Sequence, residues 1–445
     1  MGLDRERHGN LSCDDVAMSV ALVSAVDPYP TDAGKKVVLA GFLDYFAERY
    51  GPDNVHYVKV GARPLRDDFP VTLHVVPGPS RAAVFRNIAT KVAIGRASIQ
   101  EAFLGSRETK TAIDKIIGDI RPQLQVYDTV RMAQYASPHV AAHQICYLDD
   151  LFSERYERML QATEFNPDVD VSPLGNFAEH VPRRLHALAT RRITQTALLR
   201  AERSLVRRSE DRAARAFRRC LLVNEEEVGV LTRRTSSPPG RIRCVPPLLA
   251  PASSIERRYR GAPEFVFLGL LSLPHNDDGL QWFLRRIWPT VLAQLPDAHL
   301  KVIGLDPRPK ALALAGELTD SVSIDGYVPD LADALGGAAA LVNPLRFGSG
   351  VKLKVIEALG RALPVVSTPV GAEGIASGPA SGVLVGSEPG EIADLLCSLT
   401  DPARNAEVSA EAKRHFLANY SRQAVFDAYD AAFGPPELAD SGGRR

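Results

Sequence analysis

The chain has 445 residues, no formal net charge at neutral pH, and 45% hydrophobic and 24% charged residues. Its length predicts more than one domain, because a single hydrophobic core seldom grows beyond about 250–300 residues. The zero net charge excludes a case for nucleic-acid binding from bulk electrostatics. The five cysteines are scattered and form no Cys-x-x-Cys pair, so they predict neither a disulfide framework nor a zinc site. No apolar run reaches the roughly 20 residues that cross a bilayer, which favours a cytoplasmic protein.

In chain order, the first half alternates predicted strands with predicted helices. Residues 1–15 are polar, and we expect them to be disordered. Residues 18–26 form a run of small and β-branched residues typical of a buried parallel strand, and a turn-rich loop follows at 27–34. A helix is predicted at 36–49. Further strands are predicted at 55–60, 72–76, 124–127, 144–148 and 220–224. This alternation predicts a parallel, doubly wound domain over residues 16–235.

Two segments near the middle of the chain have unusual compositions. Residues 181–219 are predicted to form one or two long helices, with twelve arginines against three acidic residues. Two interpretations stay open, namely docking on anionic lipid headgroups through residues 183–219, or an ordinary solvated helix surface. Residues 236–262 are rich in proline and lack apolar periodicity, so they are predicted to be a linker.

The second half, residues 263–420, repeats the alternation of strands and helices. Its strands are predicted at 265–271, 300–304, 322–324, 339–343, 364–367 and 383–385. Its helices are predicted at 278–294, 309–318 and 331–335, before three that close the chain. The last of these, at 421–435, is a candidate to pack back on the first domain, and 436–445 is a predicted disordered tail. Two such domains leave a cleft between them, and ligands of parallel sheets bind where the strands end.

The most informative segment joins a predicted strand to a predicted helix and reads PLRFGSGVKLKVIEAL from Pro344. Gly348 and Gly350 let the backbone approach a phosphate, and the helix N-terminus offers free amides and partial positive charge. Lys352 is predicted in the first helical turn, where a cation opposes the helix dipole unless an anion is bound. Arg346 adds a second cation. These residues predict a diphosphate site held by charge-assisted hydrogen bonds.

Glu357 lies further along the same predicted helix, three residues after Lys354. A carboxylate there can accept hydrogen bonds from two neighbouring hydroxyls, as a ribose presents them. The alternative is a solvated ion pair between Lys354 and Glu357 that contributes roughly a few tenths of a kcal/mol. The residues alone leave both interpretations open.

The longer segment PLRFGSGVKLKVIEALGRALPVVSTPVGAEGI resembles the donor-binding signature of GT-B glycosyltransferases of the family 4 type, also called group 1. The resemblance begins at FVFLGLLSLPHNDDGLQWFL and continues to the closing helices. It implies a GT-B fold, in which two Rossmann-like doubly wound domains face a central cleft. It also implies diphosphate contacts by Arg346 and Lys352, and a ribose contact by Glu357. The donor-binding residues that it implies in this half are Arg346, Gly348, Ser349, Gly350, Lys352, Glu357, Gly371 and Glu373.

One position departs from the pattern of that family. Many members carry two glutamates eight residues apart, the first of which contacts the transferred sugar. The residue eight positions before Glu357 is Ser349, which has no carboxylate. Some branches of the family have this glycine-rich version, so the departure does not exclude activity, but it leaves the sugar undefined.

Three segments of the first half resemble loops of the same family. PYPTDAGKK, which contains Gly34, looks like the loop where glycine approaches the donor phosphate, with an ordinary turn as the alternative. VYDTVRMAQY and CYLDDLFSERY look like loops that bring Asp128, Arg131, Asp149 and Asp150 to the cleft. Such carboxylates can act as a base or orient an acceptor hydroxyl. The alternative for the aspartate pair is capping of the following helix.

These features predict a glycosyltransferase that moves a sugar from a nucleotide-diphosphate donor to a glycan, lipid-linked or small-molecule acceptor. The resemblance implies retention of the anomeric configuration and no metal or other cofactor. The predicted setting is synthesis of surface polysaccharide or glycoconjugate, in the cytoplasm or at the inner face of the membrane, without a nucleic-acid partner. Two alternatives stay open, a non-catalytic nucleotide-sugar-binding or scaffold protein, which the serine at position 349 favours, and a GT-B sugar-nucleotide epimerase.

Overall fold

The computed structural model describes residues 18–64, 66–137, 143–165, 192–249, 257, 259–328 and 331–434, which form two α/β domains. The strands are β1 (Val20–Ser24), β2 (Val55–Val60), β3 (Thr72–Val76), β4 (Leu124–Asp128), β5 (His143–Asp149), β6 (Arg219–Leu222), β7 (Ile242–Cys244), β8 (Glu264–Leu268), β9 (His299–Ile303), β10 (Val322–Gly326), β11 (Ala340–Asn343), β12 (Val365–Ser367) and β13 (Val383–Val385). The predicted disorder at 1–15 and 436–445 lies outside the described residues.

Helices connect most of these strands. They are α1 (Gly34–Tyr50), α2 (Arg81–Asn87), α3 (Ile99–Leu104), α4 (Arg107–Ile120), α5 (Thr129–Ala133), α6 (Phe152–Phe165), α7 (Arg192–Ala216), α8 (Glu225–Thr235), α9 (Pro274–Arg286), α10 (Trp288–Gln294), α11 (Pro309–Gly316), α12 (Leu331–Gly336), α13 (Leu353–Gly360), α14 (Pro389–Ser398), α15 (Pro402–Asn419) and α16 (Arg422–Phe433). Shorter helical turns lie at Pro52–Asn54, Ile88–Val92 and Pro379–Ser381.

The first sheet has the strand order β3-β2-β1-β4-β5-β6-β7, and neighbouring strands pair in parallel. Every residue of β1 and β4 is buried, because helices cover both faces of the sheet, and this is why these strands are continuous apolar runs in the sequence. β7 corrects the predicted linker at 236–262, since its residues pair with β6 and belong to the first sheet.

The second sheet has the order β10-β9-β8-β11-β12-β13, again with parallel neighbours. The helix predicted at 278–294 is two helices, α9 and α10, and α9 already begins at Pro274. Pro289 falls in the first turn of α10, where proline is tolerated because its missing N–H has no helical partner there. Both sheets therefore end their strands at loops that precede helices, the usual place of ligand sites.

Helix α16, the last one in the part of the chain that the structure describes, returns to the first domain and packs against α1. Phe433 is buried, and its ring centroid lies 4.7 Å from that of Phe46. The Tyr45 hydroxyl donates to Asp430 Oδ1 at 2.7 Å, and the Tyr429 hydroxyl donates to the Pro246 carbonyl at 2.9 Å. The chain thus passes twice between its two domains.

Helix α7 carries most of the described part of the arginine-rich segment 181–219, which ends at the start of β6. Residues 181–191 lie outside the described residues. The inner face of α7 is buried through Leu199, Val206 and Ala213. On its outer face, Arg203 pairs with Glu157 at 2.7 Å, and other arginines are exposed. The alternating burial is that of a helix lying on the domain surface. No helix among the described residues combines the length and the apolar character needed to span a membrane.

Candidate functional site

The glycine loop (residues 348–352) lies between the carboxyl end of β11 and the start of α13. Gly348 and Gly350 have φ values of 136° and 73°, which L-residues with a Cβ rarely adopt, and these values let the backbone fold tightly. Lys352 is the N-cap residue of α13 and not, as predicted, part of its first turn. Its Nζ donates to the carbonyls of Ser349 and Gly350, so the side chain folds back over the loop.

Basic side chains gather at this loop, and the carboxylates that act on Lys352 are those of Glu373 and Asp150. Burial lowers the pKa of Lys352 to about 8, against an opposing effect of Glu373. Burial and Lys352 lower the pKa of Lys354 to about 7, and its Nζ donates to Asn276 Oδ1 at 3.0 Å. Burial, together with both lysines, lowers the pKa of His275 to about 3. Burial is the main cause of each shift, and the mutual repulsion of the basic groups adds to it at Lys354 and His275. A bound anion would relieve that repulsion.

Two of the predicted donor residues face other partners. Arg346 Nε donates to Asp278 Oδ2 at 2.8 Å, and its guanidinium lies over the Trp282 ring, so it is directed toward α9. Glu357 accepts from Arg361 Nη2 at 3.0 Å. The alternative of a Lys354–Glu357 pair is wrong, because Lys354 turns instead to Asn276 on α9. The structure therefore does not bring Arg346 and Glu357 into contact with Lys352.

Gly371 and Glu373 follow β12 and differ in their surroundings. A Cβ at Gly371 would collide with Ser367 Oγ and the Asn343 carbonyl, so glycine is needed here for packing. Glu373 forms an ion pair with Arg158 of α6 and accepts from Asn224 Nδ2 at 3.1 Å. These two partners belong to the first domain. Glu373 therefore links the domains beside Lys352.

Across the cleft, three charged groups cluster where β1, β4 and β5 end. Lys35 Nζ lies 2.7 Å from Asp128 Oδ1 and 3.8 Å from Asp149 Oδ2. The Ser24 hydroxyl donates to Asp128 Oδ2 at 2.6 Å, and the Tyr147 hydroxyl donates to Asp149 Oδ1 at 2.7 Å. The predicted residues Asp128 and Asp149 thus share one cation. Lys35 was not predicted, although it lies next to Gly34 in the quoted PYPTDAGKK loop.

Asp149 combines an unusual backbone with an unusual environment. Its φ is 73°, in the left-handed region that residues other than glycine rarely adopt, and Thr129, directly after β4, has a φ of 63°. Burial raises the pKa of Asp149, and Lys35 opposes that rise. A buried carboxylate with a raised pKa, next to a lysine, can accept a proton at a pH where ordinary aspartates are poor bases.

Asp150 reaches the glycine loop itself. The Ser349 hydroxyl donates to Asp150 Oδ2 at 3.2 Å, and Arg155 Nε donates to both Asp150 Oδ2, at 2.8 Å, and Ser349 Oγ, at 2.7 Å. The amides of Leu151 and Ser153 at the start of α6 donate to Glu227 and Glu210. These glutamates, and not the aspartate pair, take the role that the capping alternative gave to Asp149 and Asp150.

The remaining predicted residues of the first domain are Gly34 and Arg131. A Cβ at Gly34 would lie 3.9 Å from the Leu353 side chain, so this glycine faces the start of α13 across the cleft. Arg131 Nε donates to Gln100 Oε1 at 2.9 Å, and its guanidinium lies over the Phe152 ring. Arg155, which the sequence reasoning missed, lies in the quoted CYLDDLFSERY segment. The available signal was its charge in the first turn of a helix, three residues after Phe152.

Part of the chain is similar in sequence to a known protein family and to a known protein. Residues 262–401 match the family model described as glycosyl transferases group 1. A Klebsiella pneumoniae protein described as an uncharacterized 44.6 kDa protein in the cps region is 33% identical over 119 residues. That match covers 24% of this chain and 30% of the relative, so it spans under a third of the relative's length.

Solved structures resemble nearly the whole chain, and two of them serve as examples. Sucrose-phosphate synthase from Thermosynechococcus elongatus has a TM-score of 0.61 and 15% identity, over 93% of this chain and 97% of that one. Anabaena Alr3699/HepE in complex with UDP has a TM-score of 0.58 and 11% identity, over 93% of this chain and 98% of that one. At these identities the likeness concerns the fold. Residues 262–401 therefore match the glycosyl transferases group 1 family, and the chain as a whole has the GT-B fold.

Proposed function

We propose that the protein transfers a sugar from a nucleotide-diphosphate donor to a hydroxyl of a glycan, lipid-linked or small-molecule acceptor. The observation that carries this proposal is the opposition of the two halves of the site across the cleft. The glycine loop, with its lysines, faces carboxylates of the first domain, and Ser349 Oγ lies 3.2 Å from Asp150 Oδ2. The cps-region relative supports a setting in surface polysaccharide or glycoconjugate synthesis.

On the donor side, the diphosphate is proposed to bind the glycine loop and the first amides of α13. Lys352 would exchange its bonds to the loop carbonyls for bonds to phosphate oxygens, which are stronger because both partners are charged. As the bond from the sugar C1 to the phosphate oxygen breaks, its electron pair moves to the diphosphate. Cations fixed at that position stabilise the developing charge. UDP bound to Anabaena HepE makes UDP the first nucleotide to test.

On the acceptor side, Asp149 is the proposed residue that takes or orients the acceptor proton. Its carboxylate is buried and its pKa is raised by that burial, while Lys35 and Tyr147 hold it in place. The acceptor oxygen would form the new bond to C1 as its proton leaves. Retention of the anomeric configuration and independence from metal ions are part of the proposal, on the basis of the family resemblance.

A donor-turnover assay tests the proposal against its alternatives. Purified protein is incubated with a panel of UDP-sugars, with and without an acceptor extract, and both released UDP and sugar products are measured. A glycosyltransferase releases UDP in step with product. A binding or scaffold protein is stabilised by UDP without any release. An epimerase converts one UDP-sugar into another without an acceptor. Either of the last two results would reject the transferase assignment.

Contact with the inner face of a membrane is a separate proposal for the outer face of α7. Arg207, Arg208 and Arg215 are exposed on this helix, and anionic lipids attract such basic surfaces by about 1 kcal/mol per residue near the membrane. Sedimentation with vesicles of anionic and neutral lipid tests it. The protein should sediment with the anionic vesicles at low salt, and the variant Arg207→Gln/Arg208→Gln should do so less. Equal recovery in both vesicle types would reject it.

A further inference from the structure

A groove of about 750 Å³ lies beside the glycine loop, along the exposed side of α9. Its walls are α9, the segment from Arg308 to Lys310 that begins α11, and the side chain of Arg346. Neither Lys352 nor Glu357 lines it. On the other side of the α9 N-terminus, Asn276 contacts Lys354. The groove is therefore separate from the proposed diphosphate site, and Arg346 forms the border between the two.

The charge of the groove is strongly positive although the chain as a whole is neutral. Its lining includes Arg285, Arg286, Arg308 and Lys310, none of which forms an ion pair with a carboxylate of the described residues. Arg308 donates instead to the Ser272 carbonyl, from Nη2 at 2.8 Å. With Arg346, these four give the groove an excess of positive charge over its two carboxylates, Asp277 and Asp278. An anion bound among them would offset that excess.

The remaining lining groups have the chemistry that sugars need. Trp282 is half-buried in the groove wall, whereas the chain's other tryptophan, Trp288, is fully buried. An aromatic face suits the C–H face of a sugar ring. Asp277 is only 8% exposed, and its Oδ1 has no hydrogen-bond partner among the described residues, while its Oδ2 accepts from Gln281 Nε2 at 2.9 Å. A buried carboxylate oxygen without a partner is costly, and a ligand hydroxyl would satisfy it.

We infer that this groove binds an acidic glycan, that is, a chain of sugar rings that carry carboxylate groups. The sugar ring would lie on the part of the Trp282 indole that Arg346 leaves uncovered. A hydroxyl would meet Asp277, and the carboxylates would meet Arg285, Arg286, Arg308 or Lys310. A lipid would need a larger apolar surface than one indole provides. The inference concerns binding alone, so its test does not depend on whether the protein transfers a sugar.

Tryptophan fluorescence gives a direct readout of the groove, because Trp288 is shielded and Trp282 is not. Trigalacturonic acid is titrated into the full-length protein. We expect a saturable change in emission, and at least about tenfold weaker binding for Arg285→Gln/Arg286→Gln, on the scale of lost charged hydrogen bonds. The matched control is Arg207→Gln/Arg208→Gln, another adjacent pair of exposed arginines, which should bind as the wild type does. Calorimetry of Trp282→Ala, which lacks the fluorescent reporter, should show weaker binding as well.

Four other compounds test whether the groove prefers an acidic glycan to a neutral glycan, a free anion, a nucleotide or RNA. Maltotriose, which is neutral, should bind much more weakly, and inorganic phosphate at equal charge should not displace the trisaccharide. UDP should leave the titration unchanged, and so should oligouridylate. The inference is overturned if trigalacturonic acid does not bind, or if the control variant weakens its binding as much as Arg285→Gln/Arg286→Gln does. It is also overturned if maltotriose binds with the same affinity as trigalacturonic acid. Displacement by UDP would assign the groove to the donor site, and preferential binding of oligouridylate would assign it to RNA; both overturn it.

Discussion

Replacing Lys352 with methionine tests two effects of its buried charge, which are lower stability of the fold and tighter binding of the nucleotide. Lys352 is 9% exposed, and its pKa falls from 10.5 to about 8, chiefly through burial. That difference corresponds to about 3.5 kcal/mol, at about 1.4 kcal/mol per pKa unit, by which the protonated side chain destabilises the fold at neutral pH. Methionine has similar length without the charge. We expect Lys352→Met to raise the free energy of unfolding, by less than this amount because two loop carbonyls lose their donor.

The same substitution should weaken nucleotide binding. Loss of one charged hydrogen-bond donor from the diphosphate site is expected to lower UDP affinity by about 1.5–3 kcal/mol, or about 10- to 100-fold. Urea unfolding measures the stability and titration calorimetry measures the affinity. Lys115→Met, at an exposed position on α4, is the matched control and should change neither. A variant that is less stable than wild type and binds UDP equally well would refute the reasoning, because Lys352 would then be a structural residue.

The stability difference between wild type and Lys352→Met should depend on pH in a definite direction. Between about pH 8 and 10.5, the unfolded chain binds a proton at Lys352 that the folded chain has already lost. The stability of wild type, relative to the variant, therefore rises with pH across this window. Below it, both states are protonated and the full penalty applies. The stability gained by Lys352→Met should shrink as the pH is raised through the window. Part of the gain comes from Lys354, because its pKa is lowered by Lys352 and recovers when that charge is removed. A gain that stays constant would contradict the assignment.

Three further predictions follow from other parts of the structure. Asp149→Asn should lower kcat at least about 100-fold with unchanged UDP affinity, and the acid limb of wild-type kcat should lie above the ordinary aspartate range, because burial raises the Asp149 pKa; an unaltered kcat would remove its role. Phe433→Ala should lower the free energy of unfolding by about 3–5 kcal/mol in urea, since it empties a buried aromatic site on α1; a loss under about 1 kcal/mol would mean that α16 packs loosely. Turnover should survive EDTA and should not rise on addition of Mg²⁺ or Mn²⁺, and a rise with either ion would refute metal independence.

The sequence predicted the strands that are buried on both faces, because burial leaves a continuous apolar run. All four residues of β11 are buried, and the run ALVN was predicted as a strand within one residue of its true start. β7 could not be predicted in the same way. It has three residues at the edge of its sheet, with only Ile242 buried, and it lies in a proline-rich segment without periodicity.

The glycine pattern located the candidate donor loop, since positive φ values and a helix start are local properties that the sequence encodes. The partners of the charged side chains are different, because tertiary packing chooses them. Arg346 meets Asp278, 68 positions earlier in the chain, and Lys35 meets Asp128. Spacing along the sequence gives no information on such contacts, which explains why Arg346 was predicted beside Lys352.

The position of α16 has a consequence for how the protein is made. Its aromatic side chains complete the surface of α1, yet the ribosome delivers them only after the entire second sheet has emerged. Until then, the growing chain presents Phe42, Tyr45 and Phe46 without their final covering. Domains usually fold one after another during translation. The first domain therefore exposes an apolar face, which chaperones can bind and which can aggregate, until α16 is translated.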